Sequence, residues 1–342
     1  MFLSDNTAPA SPEILSYIQQ HLQDSIDLPY GGDRLTEQLN DCVSNVFEQE
    51  VLVFPVLSGT ASNCLALAAM CPSTGAVITH RSSHMSVDEN TAPHFFTGGA
   101  ALHQIGEGAD TISPEELSRF CAKRPWRDVH SAVPRVLTIT QATELGRVYS
   151  TEHLQELGEI ASHYDMRVFI DGARFANALI NQKLSPAAAV MPSGVSAMTV
   201  GAIKNGTFGA EALVLFDAEL FSAVRQKAKQ TGHLASKMRY LSAQLLAYFD
   251  NELWLNNARA ANTAAERLCT LLNDHPHCSL NIECETNQIF VSMPDGLQEH
   301  LHSAGFETYP WHVEDQACFR LVTNWATSNA HIDAFASALN AY

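Results

Sequence analysis

The chain has 342 residues, 46% hydrophobic and 17% charged. That is the balance of an ordinary globular protein with room for one large core and a smaller one. Its formal net charge of −17 repels phosphate backbones and anionic lipid, which argues against nucleic-acid and membrane partners. No apolar run approaches the roughly 18 residues of a membrane span. The opening Met1-Phe2-Leu3-Ser4-Asp5-Asn6 lacks the basic and apolar regions of a secretory signal, so a cytoplasmic location is expected. Eight scattered cysteines contain no Cys-x-x-Cys pair and read as buried thiols of a reducing compartment. His275-Pro276-His277-Cys278 reads as a turn between a helix and a strand, and no metal is expected.

Ser11-Pro12 starts an N-terminal helix. The segment 1–25 is expected to pack against a small domain. Short runs almost continuous in Val, Ile, Leu and Ala predict strands at 51–57, 76–79, 135–140, 167–170, 196–200 and 212–216, covered by helices on both faces. Between them, Ser113-Pro114-Glu115-Glu116 is a helix start with a capping-box glutamate, and 151–163 has helical spacing at Leu154, Leu157 and Ile160. Repeated βα units predict a mostly parallel sheet within 26–245, with ligands at the carboxyl ends of its strands. A helical stretch at 241–272 then leads to a strand (287–293), a helix (297–304), a strand (319–325) and a final helix (329–340). These form a small α/β domain expected over 246–342.

Four features fall at strand ends. Ser58-Gly59-Thr60-Ala61-Ser62-Asn63 joins a strand to a helix, and small residues with hydroxyls at a helix N-terminus suit a phosphate, although such turns also serve packing alone. Asp171 ends the strand Arg167-Val168-Phe169-Ile170, where a carboxylate can keep a pyridine nitrogen protonated or simply cap a helix. Lys204 sits in Gly201-Ala202-Ile203-Lys204-Asn205-Gly206. A partly desolvated lysine there suits a Schiff base, and the glycines are read as making room for a bulky ring. His84 follows the strand at 76–79 and suits stacking or proton transfer, although most of the fifteen histidines need only be packed. Asp171 and Lys204 stand 33 positions apart, room for one helix and one strand. Phosphate loop, histidine, strand-end aspartate, then loop lysine is the order in which fold-type I enzymes of pyridoxal 5'-phosphate (PLP) carry these parts.

With Ser4-Asp5-Asn6, Gly59-Thr60, His84, Asp171-Gly172-Ala173-Arg174, Lys204-Asn205-Gly206 and Arg320-Leu321-Val322-Thr323, the chain resembles the threonine aldolase/β-eliminating lyase family from end to end. Thr138-Ile139-Thr140-Gln141-Ala142-Thr143-Glu144 resembles a branch that includes phenylserine aldolase. The resemblance implies an aspartate-aminotransferase-like α/β fold with a seven-stranded type of sheet and PLP as cofactor. It implies Lys204 as the lysine that carries the cofactor, Gly59 and Thr60 on its phosphate, Asp171 on its ring nitrogen, Arg174 near its 3-hydroxyl and His84 over its ring. Ser4 and Arg320 are implied on the substrate's α-carboxylate. Lys237 is implied on a neighbouring subunit's phosphate, in a homo-oligomer, dimer or tetramer. Glu144 stands where many threonine aldolases have a histidine that handles the β-hydroxyl, which makes it the fourth catalytic candidate. The implied reaction is retro-aldol cleavage of L-threonine, L-allo-threonine or a related L-β-hydroxy amino acid such as phenylserine to glycine and an aldehyde. β-Elimination, racemisation or transamination of a small amino acid is the alternative, since each uses the same lysine and aspartate. A non-enzymatic scaffold of the same fold would be expected to lack Lys204.

Overall fold

The structure is a computed structural model that describes residues 2–22, 26–107, 110–123, 126, 129–313 and 316–342. Seven strands among the described residues form one sheet: β1 (Leu52–Val56), β2 (Gly75–His80), β3 (Ala101–Ile105), β4 (Val133–Thr140), β5 (Arg167–Gly172), β6 (Val195–Val200) and β7 (Glu211–Leu215). Their spatial order is β1-β7-β6-β5-β4-β2-β3. Neighbours pair in parallel from β3 to β6, whereas β7 runs antiparallel to both β1 and β6. Every residue of β2 and β7 is buried, because helices cover both faces. This is why these segments read as unbroken apolar runs rather than alternating ones.

The strand direction places the chemistry. Helix Gly59–Met70 follows β1, His84 follows β2, Glu144 follows β4, Asp171 lies at the end of β5 and Lys204 follows β6. All stand on the carboxyl edge, where a mostly parallel sheet leaves its crevice. Because β7 runs the opposite way, its first residue, Glu211, pairs with Val56 at the end of β1 and faces the same edge.

The small sheet is wholly antiparallel: β8 (Ser279–Leu280), β9 (Gln288–Ser292), β10 (Tyr309–Val313) and β11 (Gln316–Val322) lie in the order β10-β11-β9-β8. Leu268 and Leu272 of one helix, Leu297 and Leu301 of another and Phe335 of the last pack against Ile289, Val291 and Leu321.

Three expectations are corrected. The N-terminal helix Pro12–Leu22 packs on the large core rather than on the small sheet and the helices against it. Its buried Ile14 and Leu22 join the large core with Leu35, Leu39 and Leu245. It is Phe2, ahead of it, that enters the small core, edge-on to Phe335 at 5.5 Å. Met1 and residues 23–25 of that segment lie outside the described residues. The helical stretch after the large domain is two helices, Arg239–Phe249 and Leu253–Asp274, broken where Asn251 and Glu252 take left-handed φ of 48° and 56°. The second bridges both cores, with Trp254 and Ala258 in the large one and Leu268 in the small one. Finally, the strand expected at 319–325 is β11, which starts earlier and stops at Val322.

Candidate active site

Ser58 caps helix Gly59–Met70 by accepting from the amide of Ala61 at 3.2 Å. The amides of Gly59 and Thr60 belong to the first turn, outside the helix's own ladder, and they point along the positive end of its dipole. A Cβ placed on Gly59 would meet nothing within 4 Å among the described residues, so the space before those amides is open.

Asp171 is buried, and its Oδ1 accepts from the amide of Ala173 at 3.1 Å while Oδ2 accepts from Asn63 Nδ2 at 2.8 Å. Lys204 lies on the short turn Ile203–Asn205 after β6. Among the described residues no hydrogen bond or ion pair engages its amine. The glycines around it do not make room for a ring, as the sequence suggested. A Cβ on Gly201 would collide with the backbone of Ala173, and one on Gly206, at φ +133°, would collide with the side chains of Ser11 and Asn257. They let protein pack on protein, and so hold the lysine turn against its neighbours.

Four further contacts fix that turn. Asn205 donates to Tyr248 Oη and to the carbonyl of Trp254, each at 2.8 Å, and Tyr248 Oη donates to the carbonyl of Gly201 at 2.8 Å. Glu211 accepts from the amide of Ala202. Burial pushes the Glu211 carboxyl up to about 7, against the pull of that amide and of the nearby Lys204 ammonium.

Arg174, expected near the cofactor's 3-hydroxyl, is paired with Asp5. Its fork closes on the carboxylate, Nε to Oδ2 at 2.8 Å and Nη2 to Oδ1 at 3.1 Å, with both side chains buried. Asn287 Nδ2 donates to the same Asp5 Oδ2 at 3.2 Å and to the carbonyl of Thr323 at 2.7 Å. The pair therefore pins the N-terminal turn between the two domains. Burial opposes the charge on Asp5, but Arg174, then Lys204, and the two hydrogen-bond donors outweigh it and hold the carboxyl below its ordinary range. Ser4 caps the same turn, accepting from the amide of Asn6 at 3.2 Å.

Arg320 reaches the site from β11. Its guanidinium lies over Trp311 at 4.7 Å and Tyr309 at 5.0 Å. Its buried Nε has no hydrogen-bond partner, and no carboxylate pairs with it among the described residues. Burial, then Arg174, lower its pKa, against Asp5, Glu144 and Tyr309. This is a partly buried cation with an unsatisfied donor, and no anion neutralises it among the described residues. Glu144 lines a cleft of about 750 Å³ together with Ser82, Val87, Arg147 and Trp311. Lys237 is exposed, and no hydrogen bond or ion pair among the described residues ties it to the helix at Gly59.

Two site residues went unremarked in the sequence. Glu89, buried, accepts from His84 Nδ1 at 2.9 Å, and Asn63 joins Glu89 to Asp171. No spacing rule marks them, because the partners lie 26 and 108 positions from Asn63.

An unengaged lysine amine, a buried carboxylate with remaining acceptor capacity and an open helix N-terminus on one sheet edge fit the aldehyde, ring nitrogen and phosphate of PLP. The fold and these groups define a fold-type I PLP-dependent enzyme. The family model described as beta-eliminating lyase matches residues 1–295, and the chain belongs to that family. It is 32% identical over 340 residues to a low specificity L-threonine aldolase of Pseudomonas sp., covering 99% of this chain and 97% of the relative. It is 34% identical over 326 residues to the protein of that description from Pseudomonas aeruginosa, covering 95% and 93%. Among solved structures, a threonine aldolase of Leishmania major superposes with a TM-score of 0.91 at 23% identity, covering 99% of this chain and 98% of that one.

Proposed function

We propose that the chain cleaves an L-β-hydroxy amino acid, L-threonine, L-allo-threonine or a relative such as phenylserine, to glycine and an aldehyde. The observation that carries this is the meeting of Lys204 and the buried Asp171 on one edge with Arg320, a cation that no carboxylate neutralises among the described residues. Identity to the two Pseudomonas aldolases over nearly the whole chain supports it.

PLP, when bound, supplies an electron sink that stabilises negative charge at Cα. Lys204 holds the cofactor through its amine, and Asp171 keeps the ring nitrogen protonated. The first-turn amides of Gly59 and Thr60 hold the phosphate. Arg320 takes the α-carboxylate through two parallel hydrogen bonds, with Ser4 beside it. Arg174, paired with Asp5 through two of its five N–H donors, holds the N-terminal turn that carries Ser4. The hydrogen bond His84 makes to Glu89, then the charges of Asp171 and Glu144, raise its pKa against its partial burial and favour its charged form. Glu144 therefore accepts the β-hydroxyl proton as the Cα–Cβ bond breaks.

A second copy of the chain completes the reading. Leu57 and Phe208, beside the loops of Gly59 and Lys204, are 56% and 58% exposed, and large apolar side chains flanking a site in this way support a subunit boundary there. Lys237 is the cation a partner would receive, and sedimentation that gave an active monomer would remove this part. The test of the reaction is product analysis. Glycine and aldehyde from threonine or phenylserine support it, whereas ammonia and a 2-keto acid favour β-elimination.

A further inference from the structure

Behind His84 lies a cluster of polar groups that the proposed reaction leaves without a task. Glu89 sits between two short helices, and its side chain is wholly buried. One oxygen, Oε1, accepts from both His84 Nδ1 and Asn63 Nδ2, each at 2.9 Å. The second hydrogen of Asn63 Nδ2 goes to Asp171 Oδ2 at 2.8 Å. The amide is oriented from its other end, where Thr199 Oγ1 donates to Asn63 Oδ1 at 2.9 Å. An amide whose two N–H bonds reach two carboxylates, and whose oxygen is already occupied, has one satisfied orientation.

The backbone holds Glu89 inward. Asn90 and Thr91 both take left-handed φ, 43° and 65°, and for a β-branched threonine this conformation is an outlier. The turn closes with the amide of Ala92 donating to the carbonyl of Glu89 at 2.8 Å. A solvated acid would not need such a turn. A buried carboxylate is costly unless charge and hydrogen bonds compensate it, and on Oε1 both donors belong to site residues.

We propose that Glu89 is a positioning residue: through Nδ1 it holds His84 as the imidazolium in one ring orientation, and through Asn63 it joins that cation to Asp171 as one hydrogen-bonded unit. This rests on the reading of His84 and Asp171 as groups facing the cofactor. His84 then presents Nε2–H as a donor and does not act as a base, which leaves proton abstraction to Glu144. The charged groups facing His84 are Glu89, Asp171 and Glu144, all anions. No cation is among them: Arg174 is paired with Asp5, Arg320 lies against Trp311 and Tyr309, and Lys204 lies near Asp5 and Glu211 without an ion pair among the described residues. Together these anions favour the charged ring, and its positive charge is lost as pH rises through the raised value.

The test is the titration of His84 in the holoenzyme, followed by NMR of the imidazole Cε1–H in protein labelled at histidine and assigned with His84→Asn. In the wild type the midpoint should lie above the ordinary histidine value of 6.5. Glu89→Gln removes the charge but keeps the shape, and should lower the midpoint by about 1–3 units, the scale of a lost ion partner. Glu89→Asp keeps the charge at a longer distance and should fall between, which holds the test open if the glutamine variant misfolds. The pH profile of glycine release should move in the same direction. An unchanged midpoint in folded Glu89→Gln, or in Glu89→Asp if that alone folds, overturns the proposal. Because the titration needs no turnover, its outcome is separable from the proposed reaction. A shifted midpoint in an enzyme that yields no glycine upholds Glu89 and refutes the aldolase, whereas glycine release with an unshifted midpoint does the reverse.

Discussion

Arg320→Lys isolates the carboxylate receptor. The guanidinium carbon lies 4.7 Å from the ring centre of Trp311 and 5.0 Å from that of Tyr309, and its Nε is buried without a partner. A planar fork can meet a carboxylate with two parallel, charge-assisted hydrogen bonds, and lysine can reproduce the charge but only one such bond. The loss is about 1.5–3 kcal/mol, or roughly 10- to 150-fold in kcat/KM at about 1.36 kcal/mol per decade. Stability should change little. No ion pair is broken among the described residues, and the stacked rings forfeit at most about 1 kcal/mol. The assay is steady-state glycine release from threonine, alongside the cofactor's absorbance and a thermal melt. A large fall in kcat/KM with unchanged absorbance and Tm identifies Arg320 as the anchor. Equal kcat/KM in variant and wild type would place the anchor elsewhere. A loss of stability matching the loss of activity would make Arg320 a packing residue.

Asp171→Asn should retain cofactor but lower kcat by roughly 10²–10³-fold, since an amide cannot hold the ring nitrogen protonated, and an unchanged kcat would contradict that role. Asp5→Asn leaves the Arg174 guanidinium buried without a counter-charge and should cost about 3–5 kcal/mol in denaturant unfolding; a change under about 1 kcal/mol would show that the pair does not pin the N-terminal turn. Glu211, with its carboxyl pushed from an ordinary 4.5 up to about 7, binds its proton more tightly in the folded chain. Stability therefore falls as pH rises between those two values, by on the order of 3 kcal/mol in all. Glu211→Gln should remove that slope, so its Tm relative to wild type should rise between about pH 5 and about pH 8. Parallel melting curves would refute the shift.

What was legible in the sequence, and what was not, divides by range. Asp171 and Lys204 could be found because each directly ends or follows an unbroken apolar strand, and strand direction alone puts both on one edge. The edge strands β3 and β10 escaped, since each leaves four of its five residues exposed or only partly buried. The break after Phe249 lies at Asp250-Asn251, a turn-forming pair that a long helical reading passed over: Asp250 is extended and both Asn251 and Glu252 take left-handed φ. Asn63 and the Asp5–Arg174 pair are matters of long-range pairing, between positions 26 to 169 residues apart. No local period encodes such contacts. The glycines beside Lys204 were visible, but the neighbours that require them, Ala173, Ser11 and Asn257, were not.

The most direct measurement is the product balance of the purified holoenzyme with L-threonine, L-allo-threonine and phenylserine, run beside Lys204→Ala. Glycine and the matching aldehyde should form in equal amounts and vanish in the variant, and borohydride reduction of the wild type should place the pyridoxyl group on Lys204. Ammonia with a 2-keto acid as the products, or undiminished glycine release by Lys204→Ala, would contradict cleavage of the Cα–Cβ bond at this site.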